Sequence, residues 1–468
     1  MLISVESWIL FSIFFFIYIW VKRSTRTAML LYVTAFSLFY YFRFNGVLGL
    51  VLLPATALVN YLLVERMRRG DRKKLFLTLT ILADLGVLAY FKYAGFFVEG
   101  ILNPLLGSNF DIGRIAVPVG ISFYTFQAIS YAVDVYRGRF TLRPDFLEYL
   151  FYLSFFPLLL AGPITRAETL FPQMRENRPA DRRDVWGGFY LIISGLLKKG
   201  VIADYIAQYN NFVFGSPGTF SALECFLAIV GFTIQIYYDF SGYSDISIGI
   251  ASMMGFRLKD NFRMPYRSLN LTDFWRRWHI SLSSWFRDYL YIPLGGNRKG
   301  TFRTMLNNFL TMLVAGIWHG ASWMFIIWGG LHGLGLVVHK SCRKFLSRIP
   351  DNVFTKGASW LLTMAFVSFA WVFFKAESMD GALQMLSRTV GEFDLSVLPF
   401  FLSTRPLLSI VLVAACVLNA FPPRFYGRLK VRFIYSEWWV KLLAFVVVVQ
   451  LILQMQGDEI QPFIYFQF

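Results

Sequence analysis

Long apolar runs alternate with short basic clusters along the whole chain. The longest runs cover residues 8–21, 75–90, 226–237, 311–327, 361–374 and 442–453. A helix of about 20 apolar residues spans a bilayer, whereas the helices of a soluble protein show an amphipathic stripe instead. The pattern therefore predicts an all-α, polytopic integral membrane protein with about eleven transmembrane helices.

The basic clusters predict the orientation of these helices, because loops on the cytoplasmic side are enriched in Lys and Arg. Lys22, Arg23 and Arg26 directly follow the first apolar run, which places the N-terminus outside. Following the alternation, residues 305–320 run outward and residues 322–338 return. The last run, residues 439–455, leaves the C-terminus outside as well.

One segment does not fit simple alternation. Residues 147–160 form a short apolar run that ends at Ala161-Gly162-Pro163. Such a segment either crosses the membrane or dips in and returns to the same side, which membrane proteins tolerate where the backbone is buried in protein. We find neither an internal repeat nor a low-complexity linker, so residues 1–468 are predicted to form a single membrane domain.

Composition agrees with this class and excludes another. Hydrophobic residues make up 56% of the chain and charged residues only 16%, against about 25% charged residues in soluble domains. The net charge of +17 does not indicate nucleic-acid binding, because the basic residues lie in short loops. The bilayer itself is the first predicted partner.

His319 is the leading candidate for a reacting group. It lies in Trp318-His319-Gly320, within an apolar run, and a helix starting near residue 305 carries it ~20 Å into the membrane. An ionisable side chain at that depth indicates function by default. A neutral imidazole there is suited to take a proton from an attacking hydroxyl. His332, in a similar apolar run, is a weaker candidate.

His279 lies in a second candidate segment, residues 273–289. At helical spacing Phe274, Trp278, Ser281 and Trp285 share one face of this segment. The segment is interpreted either as an amphipathic helix in the cytoplasmic interface or as one wall of a donor site, in which arginines hold phosphate. The candidate donor-binding residues here are Trp275, Arg276, Arg277, Trp278 and Arg287.

A glycine-rich turn follows, with Gly295, Gly296, Asn297 and Arg298. Exposed backbone amides next to cations can cradle a phosphate, so these four residues complete the predicted donor site. Further upstream, Asp239, Ser241 and Asp245 lie in or beside an apolar run. These side chains form either a structural polar network or a catalytic one. We find no serine-hydrolase elbow and no zinc motif.

At these residues the sequence resembles the membrane-bound O-acyltransferase family, in particular the branch that O-acetylates bacterial alginate. The matching segments are residues 121–124, 130–131, 134–137, 161–163, 238–245, 274–289, 294–298, 318–320 and 462–466. The resemblance covers most of the chain from about residue 90 onward. It implies a bundle of tilted helices around a central tunnel, in a bacterial inner membrane.

The resemblance also implies roles. His319 corresponds to the near-invariant histidine of the family, and His279 corresponds to a second position that is Asn in some branches. Together with Trp318 and the donor residues named above, they would move an acetyl group from cytoplasmic acetyl-CoA, a substrate and not a resident cofactor. The acetyl group would pass through a periplasmic acetyltransferase or acyl-carrier partner to an extracellular polysaccharide.

Two other functions stay open from the residues alone. One is acyl transfer of the D-alanyl, teichoic-acid type, which the related branch carries out. The other is a transporter or a non-catalytic scaffold within a polysaccharide secretion complex, in which Asp239 and Asp245 would bind a proton or cation. A buried histidine flanked by glycines favours the enzyme.

Overall fold

The structure is a computed structural model that describes residues 5–113, 115–159, 162–391, 393–455, 457 and 463–464. Within these residues every regular element is a helix. The chain divides into two compact units. The first comprises Met1–Phe189 and Ser247–Lys259, and the second comprises Tyr190–Ile246 and Asp260–Phe468. The single membrane domain stays a prediction.

The first unit begins with a long helical pair and continues with short helices. The elements are α1 (Val5–Val21), α2 (Arg26–Arg69), α3 (Lys73–Phe97), α4 (Asn103–Leu106), α5 (Ile121–Tyr136), α6 (Phe146–Ser154), α7 (Phe156–Leu159) and α8 (Ala167–Glu176). Gly46 interrupts α2 with φ 58° and ψ −154°, a conformation that glycine adopts without strain. The residues on either side of Gly46 form the two arms of α2.

The predicted re-entrant segment at residues 147–160 is the pair α6 and α7, which are separated by the non-helical Phe155. Ala161, which ends the predicted segment, lies outside the described residues. That this pair crosses the membrane or returns to the same side stays a prediction.

The remaining helices belong wholly or partly to the second unit. They are α9 (Arg182–Leu196), α10 (Asp204–Gly215), α11 (Ala222–Met253), α12 (Leu271–Arg277), α13 (Ile280–Phe286), α14 (Gly300–His319), α15 (Trp323–Ser341), α16 (Arg343–Leu346), α17 (Val353–Lys375), α18 (Met379–Val390), α19 (Val397–Thr404), α20 (Pro406–Ala420), α21 (Pro423–Tyr435) and α22 (Trp438–Met455). A π-helical stretch, Leu197–Ala203, connects α9 with α10.

Several helices are long and apolar enough to cross a membrane. By length and composition the described residues contain six, or seven if α19 and α20, bent by 98°, form one broken span. Large apolar side chains such as Leu362 and Ile410 point outward, as expected for lipid-facing surfaces. The all-α membrane class is confirmed, while the number of about eleven spans and the outside location of both termini stay predictions.

A tightly packed helical hairpin presents His319. In the contact between α14 and α15, a Cβ added to Gly316 would lie 3.0 Å from the Cα of Gly329, so the two backbones touch at this point. Gly316, three residues before His319, thus admits a neighbouring backbone. His319 is the last residue of α14, and Ser322 caps the start of α15.

The prediction of one continuous helix through residues 274–285 is wrong. The segment breaks into α12 and α13, and His279 stands at the break with φ 42° and ψ 57°. The apolar spacing of Phe274, Trp278 and Trp285 continues across the break, which is why the sequence pattern hides it. The left-handed conformation at His279 turns the chain between the two short helices.

Candidate acyl-transfer site

His319 lies in an aromatic pocket of the second unit. Its side chain is almost fully buried, with 4% exposure. The imidazole centroid lies 4.9 Å from the ring of Trp328, at an interplanar angle of 90°, and 5.2 Å from the ring of Phe374. α14, α15 and α17 therefore each contribute to the wall around this histidine.

His279 is fully buried and packs edge-on against Phe240 of α11, with ring centroids 4.6 Å apart. Its Nδ1 lies 3.1 Å from Oδ1 of Asn261. Burial lowers the pKa of His279 to about 3, because the charged imidazolium loses hydration there. The ring is therefore neutral at physiological pH.

The indole of Trp318 contacts both histidines. Its ring centroid lies 6.4 Å from that of His279 and 5.0 Å from that of His319. The two imidazoles, which are 40 positions apart in sequence, thus lie in one cluster, together with Trp318 as the sequence predicted. That these residues catalyse a reaction stays a prediction.

A third histidine belongs to the same cluster. His332 lies 4.9 Å from the ring of Trp328, the residue that also contacts His319. Its Nδ1 accepts a hydrogen bond from the indole N–H of Trp275 at 3.3 Å. We call His279, His319, His332, Trp318 and Trp328 the histidine cluster. Within it His332 has a structural hydrogen bond that accounts for its burial.

The predicted donor residues of α12 and α13 divide into inward and outward side chains. Trp278 is buried and stacks near Trp371, and Trp275 faces His332. Arg276 and Arg287 are exposed, and Arg277 is half-buried. The guanidinium Nε of Arg287 lies 2.8 Å from Asp288, and that of Arg277 lies 3.0 Å from Asp273. The tryptophans thus support the cluster, while the arginines stay near solvent.

The glycine-rich turn lies beside a cavity of about 250 Å³, which Asn297, Gly300, Thr301, Thr304, Met305 and Lys340 line. Gly295 and Gly296 have φ of 109° and 55°, so the turn needs glycine at both positions. Arg298 is exposed next to them. The turn therefore lies beside a cavity that one lysine lines, which suits a phosphate group. That a phosphate binds there stays a prediction.

Asp239 and Asp245 each form an ion pair with a lysine. Lys199 contacts both Asp239 and Asp204, the latter at 2.6 Å, and Lys198 lies 2.6 Å from Asp245. We call these five residues the lysine–carboxylate cluster. The pairing supports the structural interpretation of the two carboxylates, and Ser241 is buried beside them on α11. Lys198 and Lys199 interrupt an apolar run, a signal that sequence reasoning missed.

The C-terminal motif also reaches this part of the second unit. The backbone N–H of Ile464 donates to Oδ2 of Asp239 at 3.1 Å. Phe463 stacks on Tyr243 at 4.4 Å and lies 5.5 Å from Phe240, which in turn packs on His279. Pro462, Tyr465 and Phe466 of the same matched motif lie outside the described residues.

Asn261 is a site residue that sequence reasoning missed. It lies in a polar stretch before α12, where nothing in its local sequence distinguishes it. Only the fold brings its side chain to His279 and Ser281.

Fold and site together define a class: a multi-helix membrane protein with imidazoles buried among aromatic rings. The sequence profile of the MBOAT, membrane-bound O-acyltransferase family, matches residues 138–379, a region that contains all three histidines of the cluster. The chain belongs to this family, and the predictions that it is a membrane protein and an acyltransferase are confirmed.

Three relatives match most of the chain. A peptidoglycan O-acetyltransferase of Helicobacter pylori is 37% identical over 76% of this chain and 72% of its own. A probable alginate O-acetylase AlgI of Pseudomonas putida is 37% identical over 84% of both chains. Its counterpart in Azotobacter vinelandii is 39% identical over 86% of this chain and 81% of its own.

Proposed function

We propose that this protein transfers an acetyl group from cytoplasmic acetyl-CoA across the membrane for the O-acetylation of an extracytoplasmic polysaccharide. Support for acetyl as the group comes from the names of the three relatives, each of which is an O-acetyltransferase or O-acetylase. Alginate and peptidoglycan, the polymers in those names, are both glycans with free hydroxyls, so a glycan is the proposed final acceptor.

The observation that carries the mechanism is the contact of two buried imidazoles, His279 and His319, with one indole. In the proposed reaction a neutral His319 takes the proton of the acceptor hydroxyl. The hydroxyl oxygen attacks the thioester carbonyl, a C–O bond forms, and the C–S bond breaks. The leaving thiolate then takes the proton back from the imidazolium, so the histidine is regenerated.

The proposed donor site is the cytoplasmic mouth formed by the glycine-rich turn and the cavity at Lys340. An ammonium group and backbone amides suit the phosphates of coenzyme A. The arginines of α12 and α13 add positive charge near solvent, and Arg also binds phosphate in a bidentate manner. A periplasmic acetyltransferase or carrier would receive the acetyl group on the other side and pass it to the polysaccharide.

The test is acetyl transfer by the purified protein in detergent with radiolabelled acetyl-CoA, in the presence and absence of an extracytoplasmic partner fraction. His319→Ala should lower kcat by about 10²–10⁴, the usual cost of losing a general base. The readouts are free CoA and labelled acetyl on protein or glycan.

His339→Ala is the matched control. His339 lies at the end of α15, outside the histidine cluster, where its Nδ1 contacts Thr272 at 3.0 Å. Its loss should leave turnover within about threefold of the wild type, in the range of surface substitutions. Full turnover by His319→Ala would overturn the assignment, and no acetyl transfer by the wild type with any partner fraction would overturn the proposed function.

A further inference from the structure

Asn261 makes a set of contacts centred on its side-chain oxygen. Oδ1 accepts hydrogen bonds from the backbone N–H of Ser281 at 3.1 Å and from the hydroxyl of Ser281 at 2.9 Å. The same oxygen lies 3.1 Å from Nδ1 of His279. The amide nitrogen points to the hydroxyl of Ser244 at 3.4 Å. The residue is almost fully buried, so water does not replace these partners.

The contact with Ser281 fixes which end of the amide faces His279. A backbone N–H can only donate, so the atom next to it must be the amide oxygen and not the nitrogen. That oxygen has no hydrogen to give, and Nδ1 of His279 must therefore carry the proton of the hydrogen bond. In a neutral imidazole the second nitrogen, Nε2, is then the one with the lone pair.

Asn261 also holds the backbone of the same turn. The backbone carbonyl oxygen of Asn261 accepts a hydrogen bond from the backbone N–H of Ile280, the residue that follows His279, at 2.8 Å. His279 has φ 42°, and positive φ in a residue other than glycine is uncommon and concentrated at functional sites. One residue therefore determines both the backbone conformation and the protonated nitrogen of His279.

We propose that Asn261 is a positioning residue that holds His279 in the tautomer protonated on Nδ1, so that Nε2 accepts a proton during acyl transfer. The inference rests on the proposed function and adds a role to it. A neutral His279 in this tautomer is unable to donate a hydrogen bond from Nε2 to the thioester oxygen. Its work is proton acceptance, beside His319.

Few titratable groups lie on the helices packed against His279, so few other groups influence the protonation of its ring. On α11 these are Asp239, whose charge is paired with Lys199, and the phenol of Tyr243. On α14 the group is His319, on the far side of its contact with Trp318. A carboxylate introduced at position 261 would therefore be the dominant new charge at the imidazole.

The first experiment is the pH dependence of kcat for Asn261→Asp. A carboxylate keeps the shape of the amide and its contacts with Ser281, but it stabilises the imidazolium form of His279. The acid limb of the profile should move up by at least about one pH unit, with recovery of turnover at higher pH. A purely structural role of Asn261 would lower turnover equally at all pH values.

The second experiment is Asn261→Leu, which removes the hydrogen-bond acceptor of Nδ1, so that His279 is no longer held in one tautomer. Loss of the group that sets a histidine tautomer costs about 10⁴ in kcat in the serine-protease triad, and we expect a loss of at least about 10² here, with KM within about threefold. Asn210→Leu is the control, because Asn210 is an equally buried asparagine whose partner, Gln235, lies outside the site.

The outcomes separate this inference from the proposed function. An unshifted profile in Asn261→Asp, or wild-type kcat per folded molecule in Asn261→Leu, would overturn the role of Asn261 while His319→Ala is still inactive. If Asn261→Leu does not fold, the profile of Asn261→Asp decides alone. Turnover by His319→Ala would instead remove the proposed catalytic reaction on which the inference depends.

Discussion

Two polar clusters of the second unit offset the free-energy cost of burying polar side chains in different ways. The lysine–carboxylate cluster pairs charge with charge: Lys199 with Asp239 and Asp204, and Lys198 with Asp245. The histidine cluster buries neutral rings among aromatic ones, and Asn261 provides the hydrogen bond to His279. Both clusters contain titratable groups, but the imidazoles need no buried counter-charge in their neutral form, whereas the lysines and carboxylates do.

The difference shows how to separate structural from chemical polar groups in a membrane helix bundle. Breaking a buried ion pair leaves a charge without compensation, which costs far more than the pair contributes. A neutral imidazole carries no charge that needs a counter-charge, so its removal should affect the reaction much more than the fold.

Lys199→Met should cause the largest loss of stability. It leaves Asp204 and Asp239 buried without their cation, at a cost of about 3–5 kcal/mol. The thermal midpoint in detergent and the yield of monodisperse protein should both fall. Lys356→Met is the control, because its partner Asp351 is exposed and surface pairs contribute about 0–1 kcal/mol. Equal midpoints for the two variants would contradict the assigned structural role of Lys199.

His279 variants should separate the backbone turn from the imidazole. His279→Ala removes the ring and puts a residue that disfavours positive φ at the break, so kcat should fall by about 10²–10³. Asn adopts positive φ readily, and its amide can still donate to Asn261. His279→Asn therefore keeps the turn but has no proton acceptor, and its kcat should fall by about 10², at the lower end of that range. Turnover at saturating acetyl-CoA measures both, and equal losses would show that the turn geometry does not matter.

The helices were largely predictable because hydrophobic length alone indicates a membrane helix. The run at residues 322–338 corresponds to α15, Trp323–Ser341, and the run at residues 439–455 corresponds to α22, Trp438–Met455. The break at His279 was not predictable, because the apolar spacing continues through it. Asn261, 18 positions away in sequence, stabilises this turn through hydrogen bonds that form only in the folded chain.

The site was predictable to the extent that each residue is unusual where it stands. His319 in an apolar run was found in this way, and so was the weaker candidate His332, whereas Trp318 was named through the family resemblance. Lys199 was missed although it interrupts an apolar run, because its partner Asp239 lies 40 positions away in sequence on α11. Asn261 was missed because an asparagine in a polar stretch is ordinary.

His332→Leu should have the smallest effect on the reaction and so marks the edge of the catalytic part of the histidine cluster. The indole N–H of Trp275 loses its acceptor, which costs stability by about 1–3 kcal/mol, while kcat should stay within about threefold. Trp275→Phe combined with His332→Leu removes both partners and should recover part of the stability in the thermal midpoint. A fall in kcat of a hundredfold or more would place His332 with His279 and His319 in the reaction, and the structural hydrogen bond to Trp275 would then no longer account for its burial.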